Sequence, residues 1–302
     1  MLELLWKDGV EAICPTIVTC SVATLRKSLL VLREARKRHT SSSCRLLGAH
    51  LEGPFLSREF LGAHDEEHLA SPNLENLKQR ISEFELEISL VTLAPELSGA
   101  MKLITHLKEL GIVISLGHSS SDDLISKAAF ENGITMLTHT FNAMPSIHHR
   151  APGPVVEAII NGNIALGLIA DGVHIHPKVA ELLYRLAPSQ LLLVSDAITP
   201  YGLPDGKYYW DKRVIYAHEG CCRLENGTLV GVTLPLLEGC KRLANWTGDA
   251  SSAIWSATMS PRHVLAGEKL PIQEHLLGKS LKQLLRWKTN LHEKQLFWHS
   301  AV

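Results

Sequence analysis

Short apolar runs of strand-forming residues recur along this chain, and most of them end at a side chain able to do chemistry. They span residues 13–16, 46–51, 88–93, 112–116, 135–138, 165–169 and 191–194. The runs are apolar throughout rather than alternating, so both faces of the sheet they form must be covered. Helix-period stretches lie between them. Met101, Ile104, Leu107 and Leu110 make one face, closed by Gly111, and Pro177 opens another that carries Val179, Leu182, Leu183 and Leu186. This alternation predicts a parallel α/β sheet. The seven runs are one short of a (β/α)8 barrel, and a doubly wound open sheet is the rival arrangement.

The polar residues at the ends of these runs carry the chemistry. Glu52 follows 46–51, His118 follows 112–116 and His139 follows 135–138; Asp171 and His174 follow 165–169, and Asp196 follows 191–194. In a parallel barrel such ends meet at one rim, and in an open sheet they line one crevice. Glu52, His118 and His139 offer one oxygen and two nitrogens to a divalent ion and leave a position for water, the pattern of catalytic zinc. Iron(II) or another divalent metal accepts the same donors. The plainer alternative is a polar residue closing each strand. Three on one edge favour the metal. Asp196 beside such an ion would take a proton from its water and pass it to a leaving group; alone it would read as a turn cap.

Two further segments suit ligand contact. Gly62-Ala63-His64 combines a glycine for close backbone approach with an imidazole able to polarise a carbonyl. Asn142 and Ala143, followed by His148, His149 and Arg150, add an amide, two imidazoles and a guanidinium whose fork fits phosphate. An exposed polar loop is the competing reading of the last three. No glycine-rich nucleotide loop is present in the sequence.

A formal net charge of −1 gives no reason to expect a nucleic-acid or anionic-membrane partner. No apolar run approaches the ~18 residues that span a bilayer. The start, from Met1 to Asp8, has no signal-peptide character, and the six cysteines form no C-x-x-C pair, so a reducing cytoplasm is expected. The basic run 33–39 follows helix-spaced Val22, Leu25, Leu29 and Leu32 and reads as a solvated helix end. Residues 206–228, with the turn signal Asn226-Gly227, read as an inserted β-hairpin. Helices continue to about 265, a linker covers 267–271, and strand candidates fall at 284–287 and 295–298. The expected division is a hydrolase barrel over 1–266 and residual C-terminal β-sandwich strands over 267–302.

Six motifs, in order, carry a family resemblance. They are His50-Leu51-Glu52-Gly53-Pro54-Phe55, Gly62-Ala63-His64, Leu116-Gly117-His118-Ser119, the stretch from Thr138 to Met144, Ala170-Asp171-Gly172-Val173-His174 and Val194-Ser195-Asp196-Ala197. From about Cys14 to Gly231 the chain resembles the N-acetylglucosamine-6-phosphate deacetylases of the amidohydrolase superfamily. The resemblance implies a TIM-like (β/α)8 barrel flanked by a small β subdomain. It also implies hydrolysis of the acetamide of N-acetylglucosamine 6-phosphate to glucosamine 6-phosphate and acetate. By it, Glu52, His118 and His139 hold one divalent metal, zinc first, Asp196 is the general base and acid, and His64 polarises the carbonyl. Substrate contacts fall to Ala63, Asn142, Ala143, Arg150 and His174, with backbone around Leu229, Val230 and Gly231. A homodimer is implied, with Arg150 serving across its interface.

Three departures bear on these expectations. The family's sandwich strands and first barrel strand have no counterpart before Leu5, which leaves a barrel without its first strand and with a sheet edge to protect. Val232 stands where a serine usually follows the glycine, near the acetyl group. The tail from 268 is diverged. The alternatives are a related amidohydrolase acting on another N-acyl sugar or a cyclic amide, and a non-catalytic sugar-phosphate-binding remnant.

Overall fold

The structure is a computed structural model of the 302-residue chain and describes residues 1–38, 40, 42–266, 285–290 and 295–300. After the short helix α1 (Leu2–Lys7), two of the expected strands are each cut in two. Pro15 has no N–H to give a ladder, so the first run yields β1 (Ala12–Ile13) and β2 (Thr16–Val18). Gly48, at φ +155°, divides the second into β3 (Arg45–Leu46) and β4 (Ala49–Glu52). A side chain at Gly48 would lie 2.3 Å from the Ser89 hydroxyl. β1 pairs with β3, whereas β2 and β4 enter the main sheet.

That sheet continues through β5 (Ile88–Leu93), β6 (Val113–Leu116), β7 (Met136–Leu137), β8 (Ala165–Leu168) and β9 (Leu191–Leu193), seven strands neighbouring one another in chain order. From β2 to β8 the pairing is parallel. Strands β4 and β8 are buried at every residue, the pattern of a sheet covered on both faces.

Two compact units share the chain, one of residues 11–167 and the other of residues 1–10 and 168–302. The first holds helices α2 (Val22–Lys37), α3 (Leu74–Ile81), α4 (Ala100–Glu109), α5 (Asp123–Asn132) and α6 (Gly153–Asn161). Ser21, Asn73 and Asp122 cap α2, α3 and α5, each side chain taking a first-turn N–H for about 1 kcal/mol. α4 buries Ala100, Leu103, Ile104 and Leu107, while Leu110 is exposed, one position beyond the helix. The basic end of α2, expected to be solvated, is partly tied down instead. Arg33 and Arg36 bracket the two oxygens of Glu87 at 3.0 and 2.7 Å, and Arg26 and Arg33 lie over the Phe84 ring.

In the second unit α7 (Pro177–Leu186) begins at its proline as expected, but the expected apolar face is mostly exposed. Leu183 is buried with Ala180 and Ala187, while Val179, Leu182 and Leu186 face outward. Small alanines set the contact stripe and turn the larger residues aside. The inserted hairpin is a four-stranded antiparallel meander that runs beyond the expected 228. Its strands are β10 (Gly206–Trp210), β11 (Arg213–His218), β12 (Cys221–Leu224) and β13 (Leu229–Val232). Helices α8 (Leu236–Thr247) and α9 (Ala250–Ala266) follow, then the antiparallel pair β14 (Leu285–Asn290) and β15 (Gln295–Ser300). Leu284 and the expected linker 267–271 lie outside the described residues. Among the described residues no helix is long and apolar enough to cross a membrane.

Candidate active site

Within the unit 11–167, the ends of three strands bring three ionisable side chains together. Glu52 is the last residue of β4; His118 and His139 each stand two residues past the ends of β6 and β7. Both histidines take left-handed backbone conformations, φ +49° and +31°. An L-residue adopts these at a cost of roughly 1–2 kcal/mol, a local strain that the surrounding structure sustains. The side chains of Glu52, His118 and His139 are all at least nine-tenths buried.

The hydrogen bonds settle which ring atoms face inward. His118 Nδ1–H donates to the Phe60 carbonyl at 2.9 Å, and His139 Nδ1–H donates to the Asn142 carbonyl at 3.2 Å. The two Nε2 atoms then lie 3.0 Å apart, at 3.3 and 3.1 Å from Glu52 Oε1. Two imidazole lone pairs and a carboxylate at this separation suit a positive charge among them. Among the described residues these three are the group able to hold a metal ion. Ligand bonds of about 2.0–2.1 Å in a tetrahedron put ligand atoms roughly 3.3 Å apart, and backbone carbonyls holding the outer Nδ1–H groups are the usual support of metal-bound histidine. The donor set fits the ion.

His64 faces the other oxygen of the same carboxylate, Nε2 to Glu52 Oε2 at 3.7 Å, with its ring edge-on to His118. Its Nδ1 accepts the Thr19 N–H at 3.4 Å, so Nε2 carries the proton. Burial, against the pull of Glu52, takes the His64 pKa down to about 3, so the ring is a neutral donor. Gly62 is left-handed at φ +62°, and a side chain there would come within 3.1 Å of the His118 ring. The close approach expected of this glycine is therefore to a histidine. Thr19, which the sequence reading missed, supplies its N–H to His64 and donates its hydroxyl to the Glu52 carbonyl at 3.1 Å. Glu96 was missed as well. It accepts from Ser119 Oγ and the Ser120 N–H, both at 2.7 Å, and so anchors the turn after His118. Only their places beside strand ends marked Thr19 and Glu96 in the sequence.

Asn142 supplies its carbonyl to His139 and donates its side-chain amide back to the His139 carbonyl. Ala143 takes a left-handed conformation, φ +49°, and accepts the Ser119 N–H. Ala63 is half-buried beside His64. His148, His149 and Arg150 form an exposed loop in which Arg150 Nη1 donates to His149 Nε2 at 2.7 Å.

The other unit carries its own candidates. His174 Nδ1–H donates to Asp171 Oδ2 at 2.6 Å, and Asp171 Oδ1 accepts the N–H groups of Val173 and His174. Burial would raise the Asp171 carboxyl, yet these bonds bring it below its ordinary value. Asp196 is left-handed, φ +50°, and its carbonyl accepts the Val232 N–H at 2.9 Å. A side chain at Gly231 would strike that carbonyl at 2.7 Å, so this turn needs glycine beside Leu229 and Val230 on β13.

No protein-family model matches the chain. It is 34% identical over 272 residues to the N-acetylglucosamine-6-phosphate deacetylase of Vibrio furnissii, covering 89% of this chain and 66% of that protein. It is 33% identical over 260 residues to the N-acetylgalactosamine-6-phosphate deacetylase of Escherichia coli O157:H7, covering 86% and 69%. The crystal structure of N-acetylglucosamine-6-phosphate deacetylase from Thermotoga maritima superposes with a TM-score of 0.81 at 30% identity, covering 88% of this chain and 72% of that one. The chain thus spans about two thirds of the length of the relatives it matches. A parallel α/β sheet of TIM-like kind, with a carboxylate and imidazoles at its strand ends, defines a metal-dependent amidohydrolase. Within that class, the chain belongs to the N-acetylglucosamine-6-phosphate deacetylase family.

Proposed function

We propose that this protein hydrolyses the acetamide of N-acetylglucosamine 6-phosphate to glucosamine 6-phosphate and acetate. The observation that carries the reading is the inward convergence of Glu52 Oε1 and two imidazole Nε2 atoms within 3.0–3.3 Å of one another, each Nδ1–H being tied to a carbonyl. Glu52, His118 and His139 are the residues that would hold one divalent ion, zinc by the donor set. Such an ion supplies an acidified water and an electrophile for the carbonyl.

The chain's own residues supply the rest. His64, neutral and protonated at Nε2, donates to the acetamide oxygen as negative charge builds there. Asp196 accepts the proton of the attacking water and returns it to the departing amine, so that the C–N bond breaks without releasing an unprotonated amide anion. Arg150 binds the phosphate through its bidentate fork, from across a homodimer interface, and His174 makes a further substrate contact. Ala63, Asn142, Ala143 and the backbone of Leu229, Val230 and Gly231 orient the sugar. The resemblance to the family supports these roles.

Acetate release by the zinc-supplemented chain tests the reading, with Glu52→Gln alongside as a control. Zinc-dependent acetate release that the variant lacks is the expected result; none from the zinc-loaded chain sinks the activity. Equal turnover of phosphorylated and unphosphorylated N-acetylglucosamine would remove the phosphate from the assignment and leave another N-acyl sugar. The relative from Escherichia coli O157:H7 favours a second substrate, N-acetylgalactosamine 6-phosphate. Comparing kcat/KM for the two epimers decides between them.

A further inference from the structure

One layer below the candidate ligands, in the unit 11–167, a single series of hydrogen bonds crosses the sheet where a barrel interior is usually aliphatic. Ser115 Oγ donates to the Met136 carbonyl at 3.2 Å. The Ser115 proton is then spent, so the 2.6 Å bond between Ser115 Oγ and Thr138 Oγ1 has Thr138 as its donor. By the same count Thr92 donates to Thr138 at 2.7 Å, and His50 Nε2–H donates to Thr92 at 2.7 Å. His50 Nδ1 is left to accept from the Thr16 hydroxyl at 3.0 Å. A hydroxyl has one proton, and a carbonyl only accepts, so the Met136 end fixes the direction of every link.

The series touches each strand that delivers a ligand. His50 lies two residues before Glu52 on β4 and so shares its face; Ser115 is on β6, which leads to His118; Thr138 immediately precedes His139. Thr92, on β5 between β4 and β6, is the middle link and fully buried. The non-hydroxyl sides of the threonines act too. A side chain on Gly117 would stand 2.7 Å from Thr138 Cβ and 2.9 Å from Thr92 Cγ2, so both threonines clamp the backbone just before His118.

We infer that His50, Thr92, Thr138 and Ser115 are positioning residues that set the spacing of Glu52, His118 and His139 through one directed chain of hydrogen bonds. The inference rests on the ligand reading above and adds to it a support for ion affinity that touches neither ion nor substrate. Thr92→Val keeps the shape and removes the hydroxyl, stranding the His50 donor on one side and the Thr138 acceptor on the other; Thr92→Ser keeps the hydroxyl.

Zinc affinity of the purified full chain, by competition with a chromophoric chelator, is the test. Circular dichroism checks that each apo chain is folded. Thr92→Val should bind zinc about 10–100-fold more weakly, the scale of lost outer-shell support, while Thr92→Ser stays near the wild type. In the wild type, nitrogen NMR of the His50 ring should find the proton on Nε2 alone, a measurement that stands even if Thr92→Val does not fold. Wild-type affinity in Thr92→Val, or a His50 proton on Nδ1, overturns the inference. A wild-type chain that binds no zinc overturns the ligand assignment itself, which is a separate failure.

Discussion

The imidazoles of His118 and His139 meet nitrogen to nitrogen, Nε2 to Nε2 at 3.0 Å with their planes 85° apart, while each spends its Nδ1–H on a backbone carbonyl. Neither ring can turn its proton inward without abandoning a carbonyl. As neutral rings the pair holds two lone pairs toward a carboxylate, an arrangement suited to a cation among them.

Splitting binding from chemistry follows from that geometry. Glu52→Gln removes the one anionic donor and should lower zinc affinity by more than the ~10–100-fold typical of outer-shell changes. Asp196→Asn should leave zinc content intact and cut turnover by about 10²–10⁴-fold, the usual contribution of a general base. Metal analysis and acetate release on the same preparations check both. Full turnover by Asp196→Asn would remove Asp196 from the mechanism.

Ion binding should also appear as stability. A ligand that binds only the folded chain, at about 1,000 times its dissociation constant, stabilises it by roughly 4 kcal/mol. Zinc should raise the Tm of the chelator-stripped protein by several degrees, and the rise should be absent in Glu52→Gln. Calorimetry with and without zinc measures it, and an equal rise in both proteins would place the ion elsewhere.

Gly62 and Gly111 both have left-handed backbones, φ +62° and +73°, but different surroundings. An added Cβ at Gly111 meets nothing within 4 Å, while at Gly62 it meets the His118 ring at 3.1 Å. Alanine at either position costs about 1–2 kcal/mol of backbone strain. Only Gly62→Ala should weaken zinc binding as well. Matched losses of stability with unequal losses of affinity, measured by urea unfolding and chelator competition, are the expected pattern.

How much of this was legible beforehand depended on the kind of signal. Glu52, His118 and His139 could be read because each stands at the end of an apolar run, where a parallel sheet gathers side chains at one edge. The supporting layer could not. Thr92, Ser115 and Thr138 sit inside apolar runs, where a hydroxyl residue looks like an ordinary strand former, and His50, two positions before Glu52 in the first motif, carried no signal of its own role. Arg33 and Arg36 read as solvated because their partner Glu87 is about fifty residues distant. On α7 the apolar pattern was right about helix and about Leu183 but wrong about the rest of the face, since Ala180 and Ala187 flank Leu183 and allow a closer approach than Val179, Leu182 or Leu186. Pro15 and Gly48 were visible breakers, but which of the paired fragments joined the main sheet was decided by register.

Alkaline pH should destabilise the chain through its buried thiols. No disulfide joins any of the six cysteines, and Cys44, Cys222 and Cys240 are fully buried. Burial pushes Cys44 and Cys222 up to about 11 and Cys240 to about 12. A raised pKa means the folded state disfavours the thiolate, so the unfolded chain loses protons first as pH rises. The contribution is complete below the unfolded value near 8.5 and is lost progressively between about 9 and 12, by roughly 1–3 kcal/mol per thiol. Urea midpoints should hold steady from pH 7 to 8.5 and fall above pH 9. Replacing Cys240 with Ala should flatten that fall even though it leaves a small cavity that lowers the neutral-pH midpoint. Thiolate absorbance should rise with unfolding rather than before it; a rise near pH 9 in the folded chain would show that these thiols are exposed to solvent.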